Sequence, residues 1–275
     1  MLVDFHSHTL ASDGTLSPSD LAATMKARAV EIFAVTDHDT LAAYETLRPN
    51  GVDCADIAPA KLVTGIEINA TYAGNEVHVL GYGFGLGTSE LRTIVDGNRR
   101  SREARAQKMV EQLNRAGYAL TMNAVRAEAS ADAPLGRPHV ARALVRGGMA
   151  ASIEAVFRNI LGPGKPGYVP SDHVRPHDAI AAVTRSGGVP VLAHPGRLKD
   201  EHLIDELVEA GLVGLEVFYP QHTVAQTERF RGIARKHGLV MTAGSDFHDP
   251  RWNARGVGME VDAADVQPFL EMLGD

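Results

Sequence analysis

The sequence predicts an α/β fold: a distorted (β/α)7 barrel with a helical insertion subdomain. Three observations carry that expectation. Short apolar runs alternate with helix-period segments along most of the chain, as in a parallel sheet with crossover helices. Polar residues gather where the runs end, which suits a barrel with its site at the C-terminal face of the strands. Within this alternation lies one long stretch of helical pattern with no strand. Assigning residues 98–167 to a helical insert leaves 1–97 and 168–275 for the barrel. About 210 residues is at the low end for eight strand–helix units, so seven, or a distorted barrel, fits better.

The elements follow in order. Leu2–His6 reads as a first strand. Ser17-Pro18-Ser19-Asp20 starts a helix: Ser17 caps it, Pro18 suits the first turn and Asp20 completes a capping box. Glu31–Thr36 and Leu62–Ala70 are the next strands. Ala73-Gly74-Asn75 is a turn into Glu76–Tyr82, which makes a hairpin with the preceding strand. Helices are then expected at Ser101–Ala116, Met122–Ala129, His139–Arg146 and Ile153–Asn159, closed by a Gly/Pro connector at Gly162–Gly167. Alternation resumes with helix Pro176–Ser186, strand Val189–Ala193, helix Ile204–Ala210, strand Val213–Phe218, helix Val224–His237 and strand Val240–Ala243.

Composition narrows the function. Hydrophobic residues are 44 % of the 275, enough for a full core. A formal net charge of −7 argues against broad binding to nucleic acid or anionic membrane. The single cysteine, Cys54, forms no internal disulfide and excludes a thiolate-rich zinc site. The expectation is a reduced, cytoplasmic protein with no signal peptide and no apolar run of about 18 residues to span a membrane.

The chemistry lies at the strand ends. His6 and His8 are two apart on a strand, so both imidazoles face one side and make half of a metal site. Asp13 follows in a short loop and on its own reads as a turn residue. Thr36-Asp37-His38-Asp39 ends the second strand; a helix cap at Asp39 or Thr40 explains an acid there, but not the histidine. Glu67 lies inside Val63–Asn69, where an ionised carboxylate among apolar neighbours is costly unless paired or bound to a cation. His78 raises the same question more weakly. His194 ends the apolar strand Val191-Leu192-Ala193, just before a tight turn and Arg197. Asp246 and His248 end the last strand within Gly244-Ser245-Asp246-Phe247-His248. Each motif alone has a plain structural explanation. Together, six of the twelve histidines and three carboxylates end or line successive strands that one barrel gathers, which points to a multinuclear metal site.

This set, with His6-x-His8, Thr36-Asp37-His38-Asp39, His194-Pro195 and Gly244-Ser245-Asp246-x-His248 as its motifs, resembles the PHP family, named for polymerase and histidinol phosphatase. The resemblance covers residues 1–97 and 168–260. It implies a distorted seven-stranded barrel with up to three divalent metals. By position, the first metal takes His6, His8, Glu67 and Asp246. The second takes Glu67 as a bridge, with His78 and His194. The third takes Asp13, His38 and His248, and Asp13 stands where many members have a histidine. Nitrogen and oxygen ligands without sulfur suit manganese, with iron or zinc as alternatives. Three divalent ions carry +6 and the three carboxylates return −3, so the centre suits a phosphate dianion. The expected reaction is attack of a metal-bridging hydroxide on phosphorus, with Glu67, Asp246, His194 and Arg197 as candidate catalytic residues.

The insert carries Leu135-Gly136-Arg137-Pro138-His139 at a helix start. Arg137 and Arg197 both suit a two-pronged grip on phosphate; for Arg137 the alternative is a solvated helix-end charge. His139 is either a substrate contact or only a helix-start residue. His222 is a candidate either for contact with the substrate or for support of a residue that makes one, and Tyr219 equally suits wall packing. An HxH barrel with a Gly-Arg-Pro-His insert is similar to the small-phosphoesterase branch of the family. Its members act on nucleoside 3′,5′-bisphosphates, and some trim short RNA from the 5′ end. The expected partner is a small phosphorylated substrate, a nucleotide or short RNA, and neither duplex DNA nor membrane. The alternatives are a histidinol-phosphate phosphatase, a carbon–nitrogen hydrolase, and a non-catalytic metal-stabilised binding module. Carbon–nitrogen hydrolases on related barrels commonly use a carboxylated lysine where Glu67 stands.

Overall fold

The computed structural model describes residues 1–47, 60–251 and 253–274; Cys54 lies outside them. The chain begins β1 (Leu2–Asp4), α1 (Pro18–Ala27), β2 (Ile32–Val35), α2 (Ala43–Leu47), β3 (Lys61–Tyr72) and β4 (Asn75–Tyr82). The helical segment follows as α3 (Ser89–Arg115), α4 (Met122–Arg126), α5 (Arg137–Arg146) and α6 (Ile153–Val156). The rest is α7 (Pro176–Arg185), β5 (Val189–Leu192), α8 (Leu203–Glu209), β6 (Gly214–Phe218), α9 (Val224–His237), β7 (Val240–Ala243), β8 (Met259–Glu260) and α10 (Ala263–Met272). Ser17 caps α1 by accepting from Asp20 N–H, and the Asp20 carboxylate accepts from the Ser17 hydroxyl.

The strands form one sheet in the order β7-β6-β5-β4-β3-β2-β1-β8. β1, β2 and β3 run parallel, as do β5, β6 and β7. β4 is antiparallel to both its neighbours, because a tight turn joins it to β3. That turn needs positive φ at Ala73 and Gly74, as in the hairpin turns that match strand twist. The ring closes just past β1 and β7. Phe5 N–H donates to Ala243 O, Asp246 N–H to His6 O and His8 N–H to Phe247 O, each at 2.8 Å. The closing hydrogen bonds are therefore made by the candidate ligands and the residues that flank them. The short β8 adds an eighth strand, antiparallel along the start of β1.

Strand alternation sorts the side chains. Ile66 and Ile68 of β3 join Val77 and Val79 of β4 in the apolar layer that also holds Ile180, Leu207 and Phe230 of the surrounding helices. Glu67, between the two isoleucines, therefore faces the barrel interior. Inside, Val3, Phe5, Val63, Tyr82 and Val191 pack with Phe269 and Leu270 of α10. Phe269 meets Phe5 and Tyr82 edge-on, at ring-centre distances of 4.9 and 5.1 Å. The interior opposite the ligand end is thus filled.

The helical segment has its own core, including Met109 and Leu113 of α3, Val140 and Leu144 of α5, and Val156, Ile160 and Leu161. α3 runs unbroken through residue 98, so no chain break marks that expected boundary. Its first turns bury Leu91 and Val95 against the barrel, and its last turns bury Met109 and Leu113 in the other core. The buried face changes partner midway. Between those two stretches Asn98 and Arg102 tie α3 to the strands. Asp39, fully buried, accepts from Arg102 Nε (2.6 Å), Asn98 Nδ2 (2.7 Å) and Asn69 N–H (3.1 Å). Arg102→Met strands that carboxylate without its cation. The expected loss of unfolding free energy is roughly 3–5 kcal/mol, measured by urea titration, with Asn98→Ala costing about 1–3 kcal/mol.

Candidate metal centre

Glu67 is the hub. Its Oε1 lies 2.7 Å from His78 Nδ1 and 3.1 Å from His194 Nε2. Its Oε2 lies 3.1 Å from His6 Nε2, 3.2 Å from His8 Nε2 and 3.0 Å from His38 Nδ1. Asp246 Oδ1 sits 3.4 Å from His6 Nε2, 3.3 Å from His8 Nε2 and 3.5 Å from His248 Nδ1. Asp13 Oδ1 reaches His248 Nε2 at 3.4 Å. The fold thus gathers all nine candidate ligands around one end of the barrel.

Three groups among the described residues could each hold a cation: His6, His8, Glu67 and Asp246; His8, Asp13, His38 and His248; His38, Glu67 and His78. The first is the set expected by position. The second has His8 in addition to its expected members. In the third His38 stands beside Glu67 and His78, while His194 approaches Oε1 separately.

The donor chemistry fits divalent metals. His6 Nε2, both ring nitrogens of His8, His38 Nδ1 and Glu67 Oε2 are buried and make no hydrogen bond. Buried polar atoms are almost always partnered, so five orphans converging on one place call for a bound cation. Burial alone would raise the Glu67 carboxyl; the imidazoles of His38, His6 and His78, and the bond from His194, hold it well below the usual range. Burial is likewise overcome at Asp246, by His6 and His248, and at Asp13, by His248 and His38. Burial wins at His38 and keeps it neutral, the ligating form. At His8 burial loses to Asp246 and Glu67 and the ring is pushed up to about 10, a proton that a cation would replace.

Left-handed backbone turns place two of these groups, and a third turn places Asp39 beside His38. His194 (φ 28°), Asp246 (φ 51°) and Asp39 (φ 50°) are three of the five non-glycine residues with positive φ among the described residues. Such strain clusters where a site over-determines it.

Other sequence candidates separate. Arg137 and Arg197 line an open cavity of about 440 Å3 above the ligands. Arg137 Nη2 is 2.7 Å from Glu76 Oε2, and Arg197 bonds Tyr219 and lies 3.3 Å from Asp246 Oδ2. Tyr219 is buried and donates to Asp246 Oδ2 at 2.9 Å, so it holds a candidate ligand as well as packing. His139 and His222 do not contact the cavity as expected. His139 is fully buried, its Nδ1 accepting from Gly136 N–H and its Nε2 bonded to Ser12 O. It locks the start of α5 onto the Asp13 loop, the helix-start alternative. His222 Nε2 accepts from Gly196 N–H and Nδ1 bonds Val217 O, so it pins the turn after His194.

Sequence reasoning missed four residues. Arg102 and Arg105 of α3 line the cavity beside Arg137, hidden in a helix rich in charge. Asp4, in β1, accepts from Ser245 Oγ and from Ser245 and Gly258 N–H. Glu216, fully buried in β6, bonds His6 Nδ1 and His194 N–H. The signal that exposed Glu67, a lone acid between apolar strand neighbours, was equally present at Leu215-Glu216-Val217.

Two outcomes follow. Glu67→Ala removes a residue that belongs to two of the three groups, so metal content by elemental analysis and turnover should both fall by orders of magnitude. His139→Ala should cost about 1–3 kcal/mol of stability while leaving KM near wild type, because the ring does not face the cavity.

Comparison with known proteins agrees with this geometry. Residues 4–163 match the PHP domain family. A 3′,5′-nucleoside bisphosphate phosphatase from Chromobacterium violaceum is 33 % identical over 269 residues, covering 94 % of this chain and 92 % of that protein. The 5′-3′ exoribonuclease Rnm of Escherichia coli is 33 % identical over 255 residues, covering 91 % of this chain and 86 % of its own. The structure of an amidohydrolase from C. violaceum, with bound sulfate and no metal, matches at a TM-score of 0.88 and 30 % identity, covering 99 % of this chain and 96 % of that one. With its ligand cluster in place, this chain belongs to the PHP family, as a metal-dependent phosphoesterase.

Proposed function

We propose that the enzyme removes the 3′-phosphate of nucleoside 3′,5′-bisphosphates and leaves the 5′-nucleotide. The observation that carries this reading is the cavity itself: its floor is the carboxylate–imidazole centre, and Arg102, Arg105, Arg137 and Arg197 stand in its walls. Two to three divalent ions, manganese foremost, held by the nine ligands would supply Lewis-acid stabilisation of charge on the reacting phosphate. Arg105, Arg137 and Arg197 lie outside the ligand set and would take a second phosphate, while Arg102 is committed to Asp39.

They are held ready. Glu76 takes Arg105 at 3.0 Å and Arg137 at 2.7 Å, and its carboxyl is lowered to about 2, against burial, by Arg137 and Arg105. Arg197 is steadied by Tyr219 and Asp246. A remote phosphate bound by these groups orients the reacting one, so its binding energy raises the rate and not only the affinity. In this reading the helical segment is a cap that sets specificity. The name of the C. violaceum relative supports the same substrate class.

One observation favours a second reading, a short RNA trimmed from its 5′ end. A further cavity of about 310 Å3 shares the Arg137 and Arg197 wall and continues past Tyr168, Ser171 and Lys199. It offers room for a longer substrate, as the activity of the E. coli relative would require.

The test compares adenosine 3′,5′-bisphosphate with adenosine 3′-monophosphate, in wild type and in Arg137→Ala, with manganese and after chelation. The expected result is a large kcat/KM preference for the bisphosphate that shrinks in the variant, and loss of all hydrolysis on chelation. Equal rates on both compounds would overturn the substrate, and full activity without metal would overturn the mechanism.

A further inference from the structure

We propose that Glu216 is a positioning residue that sets the tautomer of His6 and the placement of His194, and thereby assembles the metal centre from two strands at once. The inference rests on the metal-centre reading above and extends it to a residue outside every candidate ligand group.

Glu216 is fully buried on β6. Its Oε1 lies 2.8 Å from His6 Nδ1, and its Oε2 accepts the backbone N–H of His194 at 2.7 Å. Both neighbours must donate. A backbone amide can do nothing else, and a carboxylate has no proton to give. His6 therefore donates from Nδ1, and its Nε2, 3.1 Å from Glu67 Oε2 and 3.4 Å from Asp246 Oδ1, is the nitrogen left to take a cation. Carboxylates that take the outer N–H of a metal-bound histidine fix its tautomer and raise its basicity.

The second oxygen acts on another strand. His194 stands at the left-handed turn after β5, and its N–H is the point at which that turn is anchored to β6. The turn brings His194 Nε2 within 3.1 Å of Glu67 Oε1. Space is reserved for this arrangement. A Cβ added to Gly244 would lie 2.7 Å from Glu216 Oε1 and 2.2 Å from the His6 Cβ, so only glycine lets the chain after β7 pass behind the pair.

Glutamine has the same shape, but its side-chain amide has one acceptor oxygen and one donor nitrogen. If in Glu216→Gln the amide oxygen keeps the His194 N–H, the amide nitrogen must donate to His6 Nδ1. The His6 proton then moves to Nε2, into the place of the cation. If the oxygen keeps His6, two N–H groups collide at His194. Either way one half of the device fails while the volume is unchanged.

The experiment loads wild type and Glu216→Gln with Zn2+, which is diamagnetic, and reads stoichiometry by elemental analysis and affinity by chelator competition, with thermal unfolding of the metal-free proteins alongside. Glu216→Gln should bind one ion fewer, or bind the tightest ion roughly 10–100-fold more weakly. Wild-type stoichiometry and affinity in that variant would overturn the proposal. Should the variant not fold, two-bond 1H–15N spectra of Zn2+-loaded wild type decide it: the His6 signal, assigned by its loss in His6→Asn, should show the proton on Nδ1, and a proton on Nε2 would overturn the proposal. A wild type that binds no Zn2+ or Mn2+ would remove the metal centre, and this inference with it.

Discussion

An ionised carboxylate buried at the end of a barrel is the constraint around which this protein is arranged. Glu67 has no contact with solvent, and its ion partners among the described residues are all imidazoles. Those five rings are drawn from β1, β2, β4 and β5 or the turns that follow them. Imidazoles are weak partners for a carboxylate when neutral, and repel one another when protonated. A divalent cation resolves both problems, since it needs neutral nitrogen and anionic oxygen donors together.

The loops and strand ends around those rings are held by a layer of acids that belong to no candidate cation group. Asp37 accepts from Thr9 N–H, Thr9 Oγ1 and Ser12 Oγ, which shapes the loop that carries Asp13. Asp4 gathers Ser245 and Gly258 and so anchors the strand end that bears Asp246. Asp39 does the same between β3 and α3. Each is a short acid at a strand end, and each joins elements distant in sequence. The backbone closure of the ring runs through the same region, so the candidate ligands His6, His8 and Asp246 lie on the backbone that closes the barrel.

The helical segment contributes through charge. The chain is acidic overall, yet arginines from α3, α5 and the loop after β5 converge on one cavity. Local concentration of positive charge, not net charge, is what an anionic substrate meets. Glu76, from β4, stands between two of these arginines and holds both. As a PHP-family phosphoesterase, the protein therefore joins a ligand end built on its barrel with a wall supplied by its own helices.

Alternation and spacing were enough to read the fold class, the hairpin after β3 and the histidines and acids that end successive strands, because strand period and the cost of a buried acid are local properties; Asp13, in a loop, entered the ligand set through the resemblance to the PHP family. β8 and α10 escaped: two residues carry no period, and α10 contains Pro268, a poor helix signal. α3 began twelve residues earlier than its pattern suggested, since its buried face changes from the barrel to the helical core. For His139 and His222 the sequence left substrate contact and a supporting role both open, and only the packed structure shows their ring nitrogens bonded to backbone. Glu216 and the arginines of α3 became legible only when strands and helices far apart in sequence met. What the sequence by itself determined was which residue types could not rest alone in an apolar strand. Which partner each one took was decided by tertiary structure, because partnership depends on distances that close only when the barrel does.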